Sequence, residues 1–420
     1  MLAVFPDSLE AGRVRWNTQT DQEPNVTQPP LHGVRVLDLA TVLAAPLTCS
    51  LLGELGAEVI KVEQPRTGDP ARSYPPLQDD ASAAWEQYGR GKQSIAIDLH
   101  YPEGVDLVHR LVEVADVVVT NFRTPTLLSF DLDFDQIRKF RSDVVMLHLT
   151  AYGRTGPYSD FPGFARVVEA FAGLTHRTGE PEGPPMFGGY PIADGVGGIY
   201  GAFAVMAALR QRDLTGEAQL IDLGLYEPLL RMMEDFIPNF AATGHAAQRV
   251  GNLNPAVTPN GLFKTADARW IVLPASTDRM WNRLLDVMDR PDLARFATMS
   301  QRVANRDVID AAVTEFVSCH DLDDLLPTLR NAGLAAGPVN TASDIVENPQ
   351  IVARESIRHV DTRHGRDALI VSPAGKFSGF DHACRDRAAG LGQHTDAVLD
   401  QFTDLTDTQR HQLRERGVIE

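Results

Sequence analysis

From residue 34 onward, short runs of aliphatic and β-branched residues alternate with stretches of helical spacing. Residues 34–39 (VRVLDL) read as a buried strand, 45–55 as a helix and 57–63 (AEVIKVE) as a second strand, which together make a βαβ unit. The pattern recurs. Residues 94–99 form a strand, a helix opens at Tyr101-Pro102 and runs to about 114, and 116–120 form a strand. A helix near 134–139 then precedes a strand at 144–149. Parallel strands need crossovers, and the crossover helices cover the sheet, so this alternation predicts an α/β fold with a parallel sheet and helices on both faces. Past residue 194 a helix runs to about 212, a turn leads into a strand at 220–223, and 226–243 read as one long helix.

The pattern also sets the domain divisions. Residues 1–30 mix Asn, Gln, Thr, acids and Pro without period and predict a loose N-terminal arm. Residues 31–225 form the first part of a large domain and 226–260 a linker helix ending in an Asn/Pro/Gly-rich boundary. Residues 261–340, opening with a hairpin-like pair of strands, form a small domain. Residues 341–420 form a return segment and the C-terminal part of the large domain.

Composition excludes several function classes. Fifty-six acidic residues against 39 basic ones give a net charge of −17, which repels nucleic acid and anionic membranes while leaving room for a local basic pocket. The four tryptophans show no interleaving with basic residues, so no nucleic-acid platform is expected. Cys49, Cys319 and Cys384 are far apart and lack a CxxC pair, which predicts reduced thiols in a cytoplasmic protein. The twelve histidines lack HxH or HExxH spacing, so no metal is expected, and His148 reads as a core residue. No signal peptide is expected, because the first thirty residues lack an apolar core segment and contain acids. The longest apolar run, 195–209, is about 15 residues, short for a membrane span, and predicts a buried Gly/Ala-rich helix. The loop after the first strand reads ATVLAAP and has no GxGxxG fingerprint, which argues against NAD.

The run Tyr190-Pro191-Ile192-Ala193-Asp194-Gly195-Val196-Gly197-Gly198 places one carboxylate where coil becomes helix. Asp is a favoured N-cap, so capping is the plain reading. The positive helix end also favours the ionised form, the state a nucleophile needs.

These residues, in this order and spacing, are similar to the class III coenzyme A transferases, the family that includes formyl-CoA transferase, carnitine CoA-transferase and α-methylacyl-CoA racemase. The segments that carry the resemblance are VRVLDLATVLAAPLTCSLLGELGAEVIKVEQPRTGDPAR (34–72), GKQSIAIDLHYPEG (91–104), ADVVVTNFR (115–123), LTAYGRTGPYSD (149–160), PIADGVGGIYGAFAVMAAL (191–209), AGPVN (336–340) and GLGQHT (390–395). Together they cover about residues 31–420. The resemblance implies a Rossmann-like large domain with a smaller α+β domain, in an interlocked homodimer. It implies no tightly bound cofactor, with coenzyme A as co-substrate, and an acyl-CoA donor and a carboxylic acid acceptor as partners.

It also implies roles. Asp194 falls on the catalytic aspartate. Val42, Leu43 and Ala44 fall on the CoA-contacting loop, Asn121 and Phe122 on the pair along the CoA, and Tyr152 near the acyl group. Arg72 and Arg123 are candidate phosphate contacts, since an arginine fork pairs phosphate oxygens. Arg66 is a further candidate. Backbone N–H groups of Gly195 and Gly197 are candidate oxyanion donors. Arg166 or Arg154 could pair with a distal carboxylate, or make surface salt bridges. Glu169 could assist Asp194, or sit on a solvated helix face.

Departures from formyl-CoA transferase stand at Gln64 and Ser129, where that enzyme has arginines, and in its missing glycine-rich flap. In the racemases a histidine partners the aspartate, and here that position is Phe164, which cannot exchange protons. This favours transfer over the alternatives, racemisation or a non-catalytic CoA-binding partner subunit. The segments 163–185 and 226–234 resemble the branch acting on short dicarboxylates such as succinate, mesaconate, citramalate or glutarate.

Overall fold

The computed structural model describes residues 28–78, 81–361, 367–383 and 387–420. Residues 1–27 of the arm expected over 1–30, and Cys384, lie outside them; Cys49 is buried and Cys319 exposed, both as free thiols.

The expected parallel sheet is present. Its strands are β1 (Arg35–Asp38), β2 (Glu58–Glu63), β3 (Lys92–Ala96), β4 (Val117–Thr120), β5 (Val145–Thr150) and β6 (Gln219–Gly224). They lie in the order β3-β2-β1-β4-β5-β6, all parallel. The chain runs from β1 outward through β2 to β3, then crosses back to β4 on the other side of β1 and on to the opposite edge, which opens a crevice at the carboxyl ends of β1 and β4. Open α/β sheets bind ligands at such a point.

Alternation along the strands feeds two cores. Val36, Val117, Val119, Val145 and Leu147 face α1 (Ala44–Glu54) and a long helix at Ile192–Thr215. Leu37, Ile60, Val118 and Met146 face α2 (Pro102–Val114) and α3 (Phe134–Phe140). The C-terminal residues Val398, Leu399, Val418 and Ile419 complete the second core.

After α3 come α4 (Ala165–Phe171), which periodicity does not announce, and α5, the helix Ile192–Thr215. At 24 residues α5 is long and apolar enough to cross a bilayer, longer than the apolar run suggests. One of its faces is instead spent on α1. A Cβ at Gly198 would stand 2.7 Å from the Ala44 carbonyl oxygen, and one at Gly201 2.4 Å from Thr48 Oγ1. Thr48 Oγ1 donates to the Gly198 carbonyl at 2.9 Å across the same seam. Bare glycine surfaces let the two backbones approach, and that seam fixes the start of α1 against the start of α5.

The long helix expected over 226–243 is two helices, α6 (Tyr226–Met232) and α7 (Phe236–Thr243). Pro238 fits the break: it lacks an N–H and is accommodated best in a first helical turn, and it is the third residue of the new helix that starts at Phe236. Beyond it, β7 (Asn260–Lys264) and β8 (Trp270–Pro274) pair antiparallel, and Gly337–Pro338 adds a short third strand. Helices between them pack a separate core around Trp281, Leu284, Val313 and Leu329.

Candidate active site

The crevice is a cavity of about 550 Å³. Val42, Leu43 and Ala44 enter its wall from the β1–α1 loop, Asn121 and Arg123 from the end of β4, and Asp194 from α5. Six residues singled out from sequence therefore meet in one space. Asn121 fixes the loop: its Oδ1 accepts the Thr41 N–H at 3.0 Å and its Nδ2 donates to the Thr41 carbonyl at 2.8 Å. Phe164 also lines the cavity and is 72% exposed, so no proton-exchanging side chain stands there.

Asp194 is not the N-cap. Pro191 occupies that position, and Asp194 lies in the first turn of α5. Its carboxyl is raised to about 6, first by burial and then by the negative charge of Glu169, with Arg166 opposing. The helix end does not dominate as the sequence suggested, because desolvation of the charged form outweighs it.

Glu169, from α4, is 1% exposed and is no solvated face. Its Oε1 accepts the Ala193 N–H at 3.2 Å, and its Oε2 accepts from Arg166 Nη1 at 2.9 Å. Arg166 is half-exposed, lies 5.0 Å over the Phe187 ring, and makes an internal rather than a surface ion pair. Glu169, Arg166 and Asp194 thus form one charged cluster.

Several expected roles need correction. The Gly195 N–H donates to the Pro191 carbonyl at 3.3 Å, so it is committed to the helix. Gly197 lies in the helix body, where its N–H belongs to the helical ladder. A Cβ there would stand 2.4 Å from Leu225 Cδ1, so this glycine serves packing rather than an oxyanion. Arg72 is committed too. Nε and Nη2 donate to the two oxygens of Glu63, each at 2.7 Å, Nη1 donates to the Ala389 carbonyl at 3.0 Å, and the group lies 4.1 Å over the Trp85 ring. Its fork is closed on a carboxylate and is not offered to phosphate. Tyr152 packs edge-on against Tyr158 and Phe171, and the Arg154 N–H donates to Asp222; neither residue lines the cavity.

Phe122 lines a second cavity of about 280 Å³ with Gln64, His100, Thr126 and Phe130. Thr41 lines both cavities. His148 is buried, as expected, with Nε2 2.7 Å from the Phe122 carbonyl, and burial lowers its affinity for a proton. Among the described residues no cluster could hold a metal ion.

Two features escaped the sequence reading. The phenol of Tyr190, half-exposed, is pushed up to about 12 by partial burial, then by Tyr88 and by the negative charge of Asp194. Its only sequence signal is its place four residues before Asp194. The other is a set of buried charges, Asp38, Lys61, Asp69 and Lys92, beneath the β1–α1 loop. Asp38 and Lys61 have a signal, charge inside the otherwise apolar strands VLDLA and VIKVE; Asp69, in a loop, and Lys92, at a strand start, have none.

A fold with an open parallel sheet and a carboxylate in the switch-point crevice defines a small-molecule enzyme site. The sequence profile of CoA-transferase family III matches residues 31–395. A succinyl-CoA–D-citramalate CoA-transferase of Chloroflexus aurantiacus is 34% identical over 394 residues, covering 93% of this chain and 98% of the relative. A human succinyl-CoA:glutarate CoA-transferase is 30% identical, covering 97% and 94%. The crystal structure of a CAIB/BAIF family protein from Brucella suis superposes with a TM-score of 0.82 at 32% identity, covering 90% of this chain and all of that one. The chain belongs to CoA-transferase family III and is an enzyme of that class.

Proposed function

We propose that this enzyme moves coenzyme A between short dicarboxylic acids through covalent intermediates on Asp194. The observation that carries the reading is the Asp194 carboxylate in the wall of the 550 Å³ cavity, beside the Val42–Ala44 loop. The names of the relatives support the substrate class. These names pair succinyl-CoA with citramalate, malate, mesaconate or glutarate.

In this reading an Asp194 oxygen attacks the thioester carbonyl of the donor. The C–S bond breaks, coenzyme A leaves as its thiolate, and an aspartyl-acyl anhydride remains. The thiolate attacks the aspartyl carbonyl, releasing the donor acid as carboxylate and leaving an aspartyl-CoA thioester. The acceptor carboxylate attacks that carbonyl and expels the thiolate again. The thiolate then takes the acceptor's acyl carbon, and Asp194 returns as a carboxylate. No proton is consumed. A carboxylate is a weak nucleophile, so positioning carries much of the catalysis, up to ~7–11 kcal/mol in well-oriented systems.

Arg123, which lines the cavity, supplies positive charge for the phosphates, and coenzyme A extends from the first cavity past Thr41 into the second. The enzyme works as an interlocked homodimer. Support comes from α5, whose Ile199 and Phe203 are 60% and 66% exposed in the single chain. Solution mass by light scattering tests that assembly.

Incubation with succinyl-CoA followed by hydroxylamine or borohydride tests the chemistry. The peptide bearing Asp194 is expected to gain the corresponding mass change, and a panel of acids read by mass spectrometry identifies the acceptor. A peptide that is never marked during turnover sinks the covalent route.

A further inference from the structure

The loop between β1 and α1 is held by buried charge at both ends. Lys61 of β2 is 1% exposed, and its Nζ donates to the Ala40 carbonyl at 2.7 Å. Lys92 of β3 is buried as well, and its Nζ donates to the Pro46 carbonyl at 2.7 Å. Each has a buried counter-charge: Asp69 lies 2.9 Å from Lys61 and Asp38 2.9 Å from Lys92. Asp38 also accepts the Ala40 N–H at 3.1 Å. Asn121 takes both backbone groups of Thr41.

In the middle of this loop Val42 has φ +73°. A β-branched residue avoids that left-handed region, and it persists there only where the surroundings over-determine it. The cause is visible. The Val42 N–H faces both oxygens of Asp69 at 3.2 Å. Asp69 is itself fixed, since its own N–H donates to Glu63 Oε2 at 2.9 Å and its carboxylate accepts the Ala71 N–H at 2.9 Å. Asp69 and Lys61 line the second cavity and not the first, so Asp69 acts on the wall beside Asp194 through the Val42 amide. Burial disfavours the charged form of Lys61, but Asp38, Asp69 and Glu63 outweigh it and keep the lysine charged.

We propose that Asp69, backed by Lys61, is a positioning residue for the acyl-CoA substrate: it holds the Val42 amide and keeps the loop in the left-handed turn that forms the cavity wall beside Asp194. This rests on the reading of that cavity as the acyl-CoA site. A residue that shapes the binding loop and touches no reacting atom changes substrate affinity more than turnover.

A double-mutant cycle separates positioning from general stability. Asp69→Ala is expected to raise KM for succinyl-CoA about tenfold while kcat changes less than about threefold, since an unsupported left-handed valine is rarely populated. Measured in the Val42→Gly background, the same change is expected to cost about threefold or less, because glycine adopts the left-handed turn unaided. Loss of sheet stability would cost the same in both backgrounds. Should Asp69→Ala fail to fold by circular dichroism, Asp69→Glu keeps the charge opposite Lys61 but displaces the carboxylate, and the same KM rise and suppression are expected. An unchanged KM in a folded variant, or an equal penalty in both backgrounds, overturns the inference alone. A wild-type enzyme that shows no CoA binding by calorimetry overturns the reading of the cavity, and the inference falls with it.

Discussion

Glu169 Oε1 accepts the backbone N–H of Ala193 at 3.2 Å, so a buried carboxylate on α4 is tied to the first turn of α5 one residue before Asp194. Two negative groups are thereby held near one another with Arg166 as their shared cation. Asp194 is raised to about 6, and Glu169 is the second cause after burial. A nucleophile must be ionised, so kcat/KM should rise with pH through about 6. Glu169→Gln removes the charge, retains an acceptor for Ala193, and releases Arg166 toward Asp194. The acidic limb of the profile should move below 6, stopping short of 3.8 because burial remains. A midpoint unmoved by the substitution would show that Glu169 does not tune Asp194.

The same electrostatics set a stability cost. The folded pKa of Asp194 lies above its ordinary 3.8, so the folded state binds its proton more readily than the unfolded chain. The cost is therefore fully present above about pH 6 and is relieved as pH falls from 6 toward 4. Asp194→Asn removes the charge and should stabilise the protein at pH 7–8 by at most ~3 kcal/mol, with only a small part of that gain left near pH 4. Transfer activity should be lost. Urea unfolding at the two pH values checks the first expectation and a coupled CoA-release assay the second; a variant less stable at pH 8 contradicts the account.

The sequence made much of this arrangement legible, for a physical reason. Strand-helix alternation is a local signal, and each strand of the large sheet was found within a few residues. The loop 42–44, Asn121, Arg123 and Asp194 all lie at strand ends or helix starts, where topology places them together. What failed was long-range pairing. Arg72 looks available in the sequence because its acceptors, Glu63 at the end of β2 and Ala389, 317 residues away, are brought to it only by the fold. Glu169 looks solvated because α4 is short and its partner amide is on another helix. The fourfold set of Asp38, Lys61, Asp69 and Lys92 needs three strands and a loop to become a cluster.

Gly198 links helix packing to the site. A Cβ there would meet the Ala44 carbonyl oxygen at 2.7 Å and Leu47 Cβ at 2.9 Å. The first is backbone, at the start of α1 beside the Val42–Leu43 turn, and cannot swing aside. Gly198→Ala should therefore destabilise the fold by about 1–3 kcal/mol, the usual cost of overpacking. It should also raise KM for the acyl-CoA donor. Gly189→Ala is the control, because its Cβ would meet nothing within 4 Å. Equal melting temperatures for the two variants would show that the α1–α5 seam has slack.

Arg166 offers the sharpest test of substrate class. Its guanidinium touches Glu169 on one side and Phe187 on the other, and more than a third of the side chain is open to solvent. A planar fork already holding one carboxylate still has donors to offer a second. Arg166→Leu should weaken discrimination between succinate and butyrate as acceptors by roughly 10- to 100-fold, the worth of a charge-assisted hydrogen bond at ~1.5–3 kcal/mol. It also strips Glu169 of its cation, so the acidic limb should move upward, opposite to the shift in Glu169→Gln. The two readouts separate two roles. If the limb moves and succinate keeps its advantage over butyrate, Arg166 tunes Asp194 and another group reads the distal carboxylate.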